Sequence, residues 1–220
     1  QKFPDKTIYI TTEIIHNPQV NRKLREMGIR FLSGCEAGHY TFDDIKPEDV
    51  VILPAFGASV EEMRKLIETG CVLVDTTCGS VMNVWNRVER NSRDGFTSII
   101  HGKYYHEETI ATSSRALQFE GGRYIIVRDE EEAQIVCDYI RFDGSADDFL
   151  KRFEKSISPG FEPARDLQRV GLANQTTMLS SESLHISKMV EQAMRDRYGE
   201  ENLKDHFRAF DTICSATQER

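Results

Sequence analysis

The sequence predicts an α/β protein made of two consecutive units, each built around a parallel β-sheet. Two observations lead to this prediction. Short, continuously apolar segments recur along the chain, as in strands that are buried on both faces. Segments with apolar residues three or four positions apart lie between them, as in helices that cover a sheet. We place the division between the two units near Cys78, after the third predicted strand.

The predicted strands and helices alternate along the chain. The strands are the apolar runs at 7–10, 50–53, 71–74, 98–100, 124–127, 170–173 and 210–213. The helices are the segments with helical apolar spacing at 17–27, 60–67, 81–88, 130–140, 147–157 and 182–198. A further helix is predicted to begin near His106. Gly28 and Gly70 follow the first two helices, at the position where glycine commonly ends a helix.

Composition and charge exclude several classes of protein. The chain has 220 residues, of which 39% are hydrophobic and 29% are charged, so it can bury a core and is not disordered. Its net charge of −8 argues against a general nucleic-acid-binding protein, which needs a basic surface. No apolar run approaches the ~20 residues that a membrane-spanning helix requires.

The five cysteines indicate reduced thiols rather than a disulfide framework. Their number is odd, and no two form the C-x-x-C pair of a zinc finger or a thioredoxin motif. We therefore expect a cytosolic or organelle-interior protein. Cys71 and Cys137 lie among apolar residues and are expected in the core. A metal pair formed by Cys35 and His39 is disfavoured.

Candidate ligand-binding side chains follow the predicted strands, where parallel α/β proteins bind their ligands. His16 lies between a strand and a helix, where an imidazole beside free helix N–H groups suits a phosphate. His106 and Glu108 follow another strand and could bind phosphate and deliver a proton. Thr176 follows a third strand, where hydroxyl groups can orient a substrate alcohol. The alternatives are a helix-capping or core histidine for His16, a helix N-cap for Thr176 and an exposed carboxylate at a helix start for Glu108. His101 is expected to be a structural hydrogen-bond partner.

Cys78 is a candidate nucleophile or metal ligand. It lies at the end of a predicted strand and just before a helix. The N-terminus of a helix favours a thiolate, which is the form that attacks or binds a metal. The alternative is a small, buried apolar side chain.

Six segments of the chain resemble the 4-hydroxy-3-methylbut-2-enyl diphosphate reductase family, in the branch found in cyanobacteria and plastids. In the order of the family, they are EIIHNPQVN, VILPAFGASVEEM, VDTTC, TSIIHGKYYHEETIATSS, ANQTTML and FDTICSATQER. They extend over nearly the whole chain, and six segments in one order argue against coincidence. Two features depart from the branch: Gly79 and Ser80 stand where proline and tryptophan are usual, and the loop at 115–122 is longer.

The resemblance implies a trefoil of three α/β units around a central 4Fe-4S cluster, of which this chain would hold two units. Cys78 and Cys214 correspond to two of the three cysteines that bind the cluster, and the third would lie upstream of residue 1. The expected units are residues 1–78, residues 79–212 and, at 213–220, the start of the third. We therefore expect an incomplete chain that is inactive alone.

The resemblance also implies roles for individual residues. His16 and His106 correspond to histidines that bind the diphosphate. Glu108 corresponds to the acid that relays protons, and Thr176 to the threonine at the hydroxyl end of the substrate. Phe56 occupies the place of a third histidine found in another branch, and we assign it no phosphate contact.

The activity that the resemblance implies is the reductive removal of the hydroxyl group of 4-hydroxy-3-methylbut-2-enyl diphosphate. The products would be isopentenyl and dimethylallyl diphosphate, in the last step of the non-mevalonate isoprenoid pathway. Three cysteine ligands leave one iron of the cluster open to act as a Lewis acid. Ferredoxin or flavodoxin would donate electrons. The protein would be cytoplasmic, or stromal in a plastid, with no nucleic-acid or membrane partner.

Two functions of other classes remain open on the residues alone. A non-catalytic α/β module could bind a phosphorylated metabolite through His16 and His106, with Cys78 and Cys214 in the core. A cysteine-nucleophile enzyme could use Cys78 with a histidine. Iron and inorganic sulfide in the full-length protein would distinguish the reductase from both.

Overall fold

The computed structural model describes residues 5–34 and 38–209 of a chain that forms two compact α/β units. The first unit is Gln1–Val81 and the second is Met82–Arg220. Each contains a four-stranded sheet in which every pair of neighbouring strands is parallel. The prediction of two consecutive parallel α/β units is therefore confirmed.

The first unit has one sheet with helices on its faces. The strands are β1 (Ile8–Ile10), β2 (Arg30–Phe31), β3 (Val50–Leu53) and β4 (Val72–Asp75). The helices are α1 (Pro18–Glu26) and α2 (Val60–Thr69), with a short 3-10 helix at Phe42–Asp44. The strand order across the sheet is β2-β1-β3-β4.

Neighbouring residues of β1 enter separate apolar clusters on opposite faces of this sheet. Tyr9 packs with Val51 and with Leu66 of α2. Ile10 packs on the other side, against Leu24 of α1. Because both faces are covered, β1 and β3 are apolar at every position, which is the pattern that predicted them.

The second unit repeats this arrangement with more helices. Its strands are β5 (Thr97–His101), β6 (Tyr124–Val127), β7 (Val170–Asn174) and β8 (Phe207–Arg208). The chain enters it through α3 (Gly79–Arg93), and the later helices are α4 (Glu107–Ala116), α5 (Glu130–Phe142), α6 (Ala146–Arg152), α7 (Pro163–Asp166), α8 (Ser180–Tyr198) and α9 (Leu203–His206). The strand order is β6-β5-β7-β8.

Two apolar clusters also cover the faces of the second sheet. Ile99 of β5 packs with Val136 of α5 and Val190 of α8. Ile100, the next residue, packs on the opposite side with Val84 of α3. The second unit is thus three layers deep, with the sheet in the middle.

Differences from the predicted elements are confined to short segments and to element ends. The elements β2, α7, α9 and β8 were not predicted, because segments of two to four residues carry no measurable periodicity. The helix predicted at 147–157 ends at Arg152, and Ile157 instead forms an antiparallel bridge with Ile125. The strand predicted at 210–213 lies outside the described residues. In the described part of the chain, no helix has the length and apolar character needed to cross a membrane.

Both sheets have the same topological switch point. The first strand of each unit lies between the second and third strands, so the chain leaves it to one side and later returns to the other. Ligands of open α/β sheets bind outside the carboxyl ends of the strands at such a point. The loops after β1 and β3, and those after β5 and β7, therefore lie where a ligand is expected.

His101 ends β5 and is completely buried in the second unit. Its Nδ1 lies 2.8 Å from Oγ of Ser183, and its Nε2 lies 3.7 Å from Oε2 of Glu182. Both partners belong to α8. Burial lowers the pKa of His101 from 6.5 to about 4, because the charged imidazolium would lose its hydration. The structural hydrogen-bonding role predicted for this histidine is confirmed.

We expect His101 to make the second unit sensitive to acid. Between pH 6.5 and about pH 4, the unfolded chain binds a proton at this imidazole and the folded chain does not, so stability falls as the pH falls through this range. The complete loss is about 3 kcal/mol. The free energy of unfolding in urea is measured for both proteins at about pH 7 and about pH 4.5. Its decrease between the two pH values should be about 2 kcal/mol smaller in His101→Gln than in the parent.

His185→Gln is the matched control, because His185 is on α8 and its side chain is 58% exposed. Between the two pH values, the free energy of unfolding of His185→Gln should decrease by the same amount as that of the parent. Equal losses in the parent and in His101→Gln would contradict the assignment.

Candidate functional site

In the first unit, backbone hydrogen bonds join the three loops that follow β1, β3 and β4. The N–H of Ala55 donates to the carbonyl oxygen of Ile14 at 3.2 Å. The carbonyl oxygen of Ala55 accepts from the N–H of Cys78 at 3.0 Å. Ala55 therefore connects the loop that carries His16 to the loop that carries Cys78.

Asn21 of α1 holds the loop that leads to His16. Its side chain is buried; Oδ1 accepts from the N–H of Ile14 at 3.2 Å. Its Nδ2 donates to the carbonyl oxygen of Ile15 at 3.0 Å. Asn17 caps the same helix through its side chain. The backbone on both sides of His16 is thus held by α1.

The imidazole of His16 stacks on the ring of Phe56. The ring centroids are 4.3 Å apart, and the planes are inclined by 22°. Nδ1 of His16 lies 3.6 Å from Oε2 of Glu13, and the histidine side chain is 47% exposed. Phe56 therefore supports the imidazole at the switch point of the first sheet. Phosphate binding by His16 stays a prediction.

Cys78 is the exposed thiol among the three described cysteines. It lies between β4 and α3, directly before the first residue of the helix. Cys71 is half-buried, its Sγ lies 3.5 Å from the carbonyl oxygen of Leu66, and burial raises the pKa of this thiol. Cys137 is fully buried, which raises its pKa to about 12. Both agree with the predicted core roles, and Cys78 is the thiol that a ligand can reach.

Within residues 5–34 and 38–209, no group of three His, Cys, Asp or Glu side chains could hold a metal ion by itself. Cys214, the second predicted cluster ligand, lies outside the described residues. Cys35, which was considered with His39 as a metal pair, lies outside them as well. The structure thus describes one of the two predicted cluster ligands.

In the second unit, the carboxylate of Glu108 accepts a hydrogen bond from the N–H of Thr176. The distance from the Thr176 nitrogen to Oε1 is 2.5 Å, and the two residues are 68 positions apart. Glu108 lies in the first turn of α4 with a side chain that is 0% exposed. Thr176 lies in the loop after β7. The structure therefore brings together two residues that the sequence selected separately.

His106 caps the same helix with its side chain. Nδ1 accepts from the N–H of Glu108 at 3.1 Å. When the ring is neutral, an acceptor role for Nδ1 leaves the ring hydrogen on Nε2, where it can be donated to a phosphate oxygen. The sequence did not predict this helix cap, and phosphate binding by His106 stays a prediction.

Sequence reasoning missed three residues that hold these loops. They are Asn21, Ala55 and Gln175. Ala55 acts through its backbone alone, which leaves no trace in the side-chain pattern. Gln175 directly precedes Thr176, and its place beside a strand end was the signal that could have revealed it.

Curated relatives of this chain are 4-hydroxy-3-methylbut-2-enyl diphosphate reductases. The enzyme of a Synechococcus species is 56% identical over 220 residues, which are 100% of this chain and 54% of the relative. The enzyme of a Nostoc species is 55% identical over 218 residues, or 99% of this chain and 53% of the relative. The chain thus spans about half the length of the curated relatives it matches.

Two solved structures share the fold. One is (E)-4-hydroxy-3-methyl-but-2-enyl diphosphate reductase, the terminal enzyme of the non-mevalonate pathway. The match covers 98% of this chain and 60% of the chain of the solved structure, with a TM-score of 0.63 and 23% sequence identity. The other is the E-1-hydroxy-2-methyl-but-2-enyl-4-diphosphate reductase of Plasmodium falciparum. This match covers 98% of this chain and 54% of the chain of the solved structure, with a TM-score of 0.67 and 19% sequence identity. At these identities the likeness concerns the fold.

The family described as LytB protein matches residues 1–220. The match extends over the whole chain, and it agrees with the relatives and with the resemblance seen in the six sequence segments. The chain belongs to the LytB family.

Proposed function

We propose that this chain is part of a 4-hydroxy-3-methylbut-2-enyl diphosphate reductase that forms isopentenyl and dimethylallyl diphosphate. The reaction consumes two electrons and two protons and releases the hydroxyl group as water. The observation that carries the proposal is the hydrogen bond between Glu108 and Thr176 at the switch point of the second sheet. It provides a carboxyl group that can move a proton, next to a hydroxyl side chain that can orient an alcohol.

Glu108 is the proposed proton donor. Its side chain is 0% exposed, so bulk water has little access to the carboxyl group. The N–H of Thr176 fixes the carboxylate through Oε1, so the group does not have to reorient before it acts. A positioned carboxyl group of this kind is typical of general acid catalysis.

Thr176, His16 and His106 are the proposed substrate-binding residues. The Thr176 hydroxyl would contact the hydroxyl end of the substrate and help to orient it for proton transfer. The imidazoles of His16 and His106 would contact the diphosphate. Support for these roles comes from the Phe56 stack behind His16 and from the Nδ1 cap of His106, which leaves Nε2 as the donor.

A 4Fe-4S cluster is the proposed cofactor, with Cys78 and Cys214 as two of its ligands. Cys78 fits this role, because its thiol is exposed and lies beside the N-terminus of α3. When bound, the cluster would supply the electrons and the Lewis acidity for removal of the hydroxyl group. The role of Cys214 depends on the family resemblance.

The partners and the location are proposed from the family. Ferredoxin or flavodoxin would deliver the electrons. The whole protein would work in the cytoplasm, or in the stroma if its source is a photosynthetic eukaryote. This chain would be inactive alone, since the family resemblance implies a third ligand cysteine and a third unit that this chain does not supply.

Replacement of Glu108 tests the proposed chemistry. Glu108→Gln keeps an oxygen that accepts the Thr176 N–H but cannot deliver a proton. In the full-length protein, turnover with a chemical electron donor should fall by about 10²–10⁴-fold, whereas substrate binding and iron content should be retained. Glu107→Gln is the matched control, because Glu107 is the exposed neighbour in the same helical turn. It should stay within about threefold of the parent.

Normal turnover of Glu108→Gln, within about threefold of the parent, would remove the proton-donor role. Full-length protein that lacks iron and sulfide, yet binds a phosphorylated metabolite, would instead favour a non-catalytic binding module.

Replacement of Cys78 tests the cofactor. Cys78→Ser in full-length protein purified without oxygen should lose most of the iron, inorganic sulfide and visible absorbance, because a serine hydroxyl is a poor substitute for a thiolate ligand. Cys71→Ser should keep them, because that thiol packs against Leu66 in the core. Normal iron and sulfide in Cys78→Ser would refute the ligand assignment.

A further inference from the structure

The side chain of Gln175 lies at the centre of a hydrogen-bond network beside the proposed site. It is 3% exposed. Its Oε1 accepts from the N–H of Lys103 at 3.0 Å and from the hydroxyl of Thr109 at 3.0 Å. Its Nε2 donates to Oγ1 of Thr177 at 2.5 Å. One carboxamide therefore ties together the loop after β5, the first turn of α4 and the loop after β7.

The backbone of Gln175 continues the same connection. Its N–H donates to the carbonyl oxygen of His101 at 2.8 Å, which extends the pairing of β5 and β7 by one bond beyond the last strand residue. Both the backbone and the side chain of Gln175 thus hold the loop after β7 against the neighbouring strand.

Gly102 allows this network to form. A Cβ at Gly102 would lie 2.8 Å from Oγ1 of Thr109 and 3.0 Å from Cβ of Gln175. Both distances are too short for a carbon contact, so a larger residue would push the carboxamide and the threonine apart. The close approach of the three segments requires glycine at this position.

Two hydrogen bonds of the Gln175 carboxamide go to the residues that directly follow Glu108 and Thr176 in the chain. Thr109 is the residue after Glu108 in α4, and Thr177 is the residue after Thr176. The same carboxamide is therefore bonded to the next residue of each segment that the Thr176–Glu108 bond joins. If those two bonds were lost, α4 and the loop after β7 could move relative to each other, and the Glu108 carboxyl would no longer be fixed.

We propose that Gln175 is the positioning residue for the proposed acid: it keeps the Thr176 N–H on the Glu108 carboxylate and so sets the direction of that carboxyl group. This inference rests on the proposed function where it concerns turnover, and on the fold alone where it concerns the hydrogen bond. Gln175 does not transfer a proton itself. A misplaced acid slows a reaction without weakening the binding of the substrate to the same extent, and a displacement of about 1 Å can cost about 10²-fold in rate.

The test uses the full-length protein and compares two changes of Gln175 with a control. Gln175→Met keeps the length of the side chain and loses all three of its hydrogen bonds. Gln175→Glu keeps the acceptor for Lys103 and Thr109, and the Thr177 hydroxyl can rotate to donate to it. Gln134→Met is the control, because Gln134 is an exposed glutamine on α5.

The first measurement is hydrogen–deuterium exchange at the Thr176 amide, followed by mass spectrometry at residue resolution. In Gln175→Met this amide should exchange about tenfold faster than in the parent, and in Gln134→Met it should not change. Thr109→Val, which removes one donor and keeps the shape, should give a smaller acceleration if Gln175→Met does not fold. An unchanged Thr176 amide in Gln175→Met or, failing that, in Thr109→Val overturns the proposal.

The second measurement is turnover at saturating substrate. The kcat of Gln175→Met should fall by about 10–100-fold with substrate affinity nearly unchanged, and Gln175→Glu should recover most of that loss. If Gln175 only packs against its neighbours, the order is reversed and the kcat of Gln175→Met exceeds that of Gln175→Glu. In the Glu108→Gln background, Gln175→Met should cost little further turnover, because both changes remove the same effect. Additive losses would overturn the claim that Gln175 acts through Glu108.

The positioning claim and the proposed function can fail separately. If Glu108→Gln turns over normally, the proton-donor role is lost, and amide exchange at Thr176 still decides whether Gln175 holds the hydrogen bond. If the exchange is unchanged while Glu108→Gln is inactive, the proposed function stands and the positioning role falls.

Discussion

The hydrogen bond from the Thr176 N–H to the Glu108 carboxylate is the interaction on which the candidate site of the second unit depends. A carboxylate with 0% exposure is costly unless donors satisfy it. A backbone N–H is a suitable donor, because it cannot rotate away as a side-chain hydroxyl can. The bond also joins α4 to the loop after β7, at the switch point between β5 and β7. The same contact that satisfies one oxygen of the buried carboxyl group thus also fixes the direction of that group.

The first unit holds its candidate residues by the same principle, with different atoms. Its loops are connected through both backbone groups of Ala55, and Asn21 secures the loop before His16. In both units the candidate site residues lie in loops, except for Glu108, which lies in the first turn of α4. Buried amide groups hold these loops close to the sheet, and a rigid sheet edge is what allows short loops to present side chains in fixed positions.

The sequence predicted the central strands of both sheets, because strands covered on both faces contain continuous apolar runs. It could not predict β2 and β8, which are two residues long and are defined by their neighbours. For the site, the rule that ligands bind at strand ends selected Glu108 and Thr176 from separate segments. It could not show that the two residues touch, that His106 caps α4, or that Gln175 holds both segments. Those are tertiary contacts between residues far apart in the chain, and no local pattern records them.

The central claim is that Glu108 is held ready to pass a proton to a bound substrate. A crystal structure of the full-length protein, prepared without oxygen and soaked with 4-hydroxy-3-methylbut-2-enyl diphosphate, tests it most directly. The account predicts a Glu108 carboxyl oxygen and the Thr176 hydroxyl within hydrogen-bond distance of the substrate, with the Thr176 N–H still on the carboxylate. A bound substrate whose reacting carbon and hydroxyl lie beyond the reach of Glu108 would contradict it.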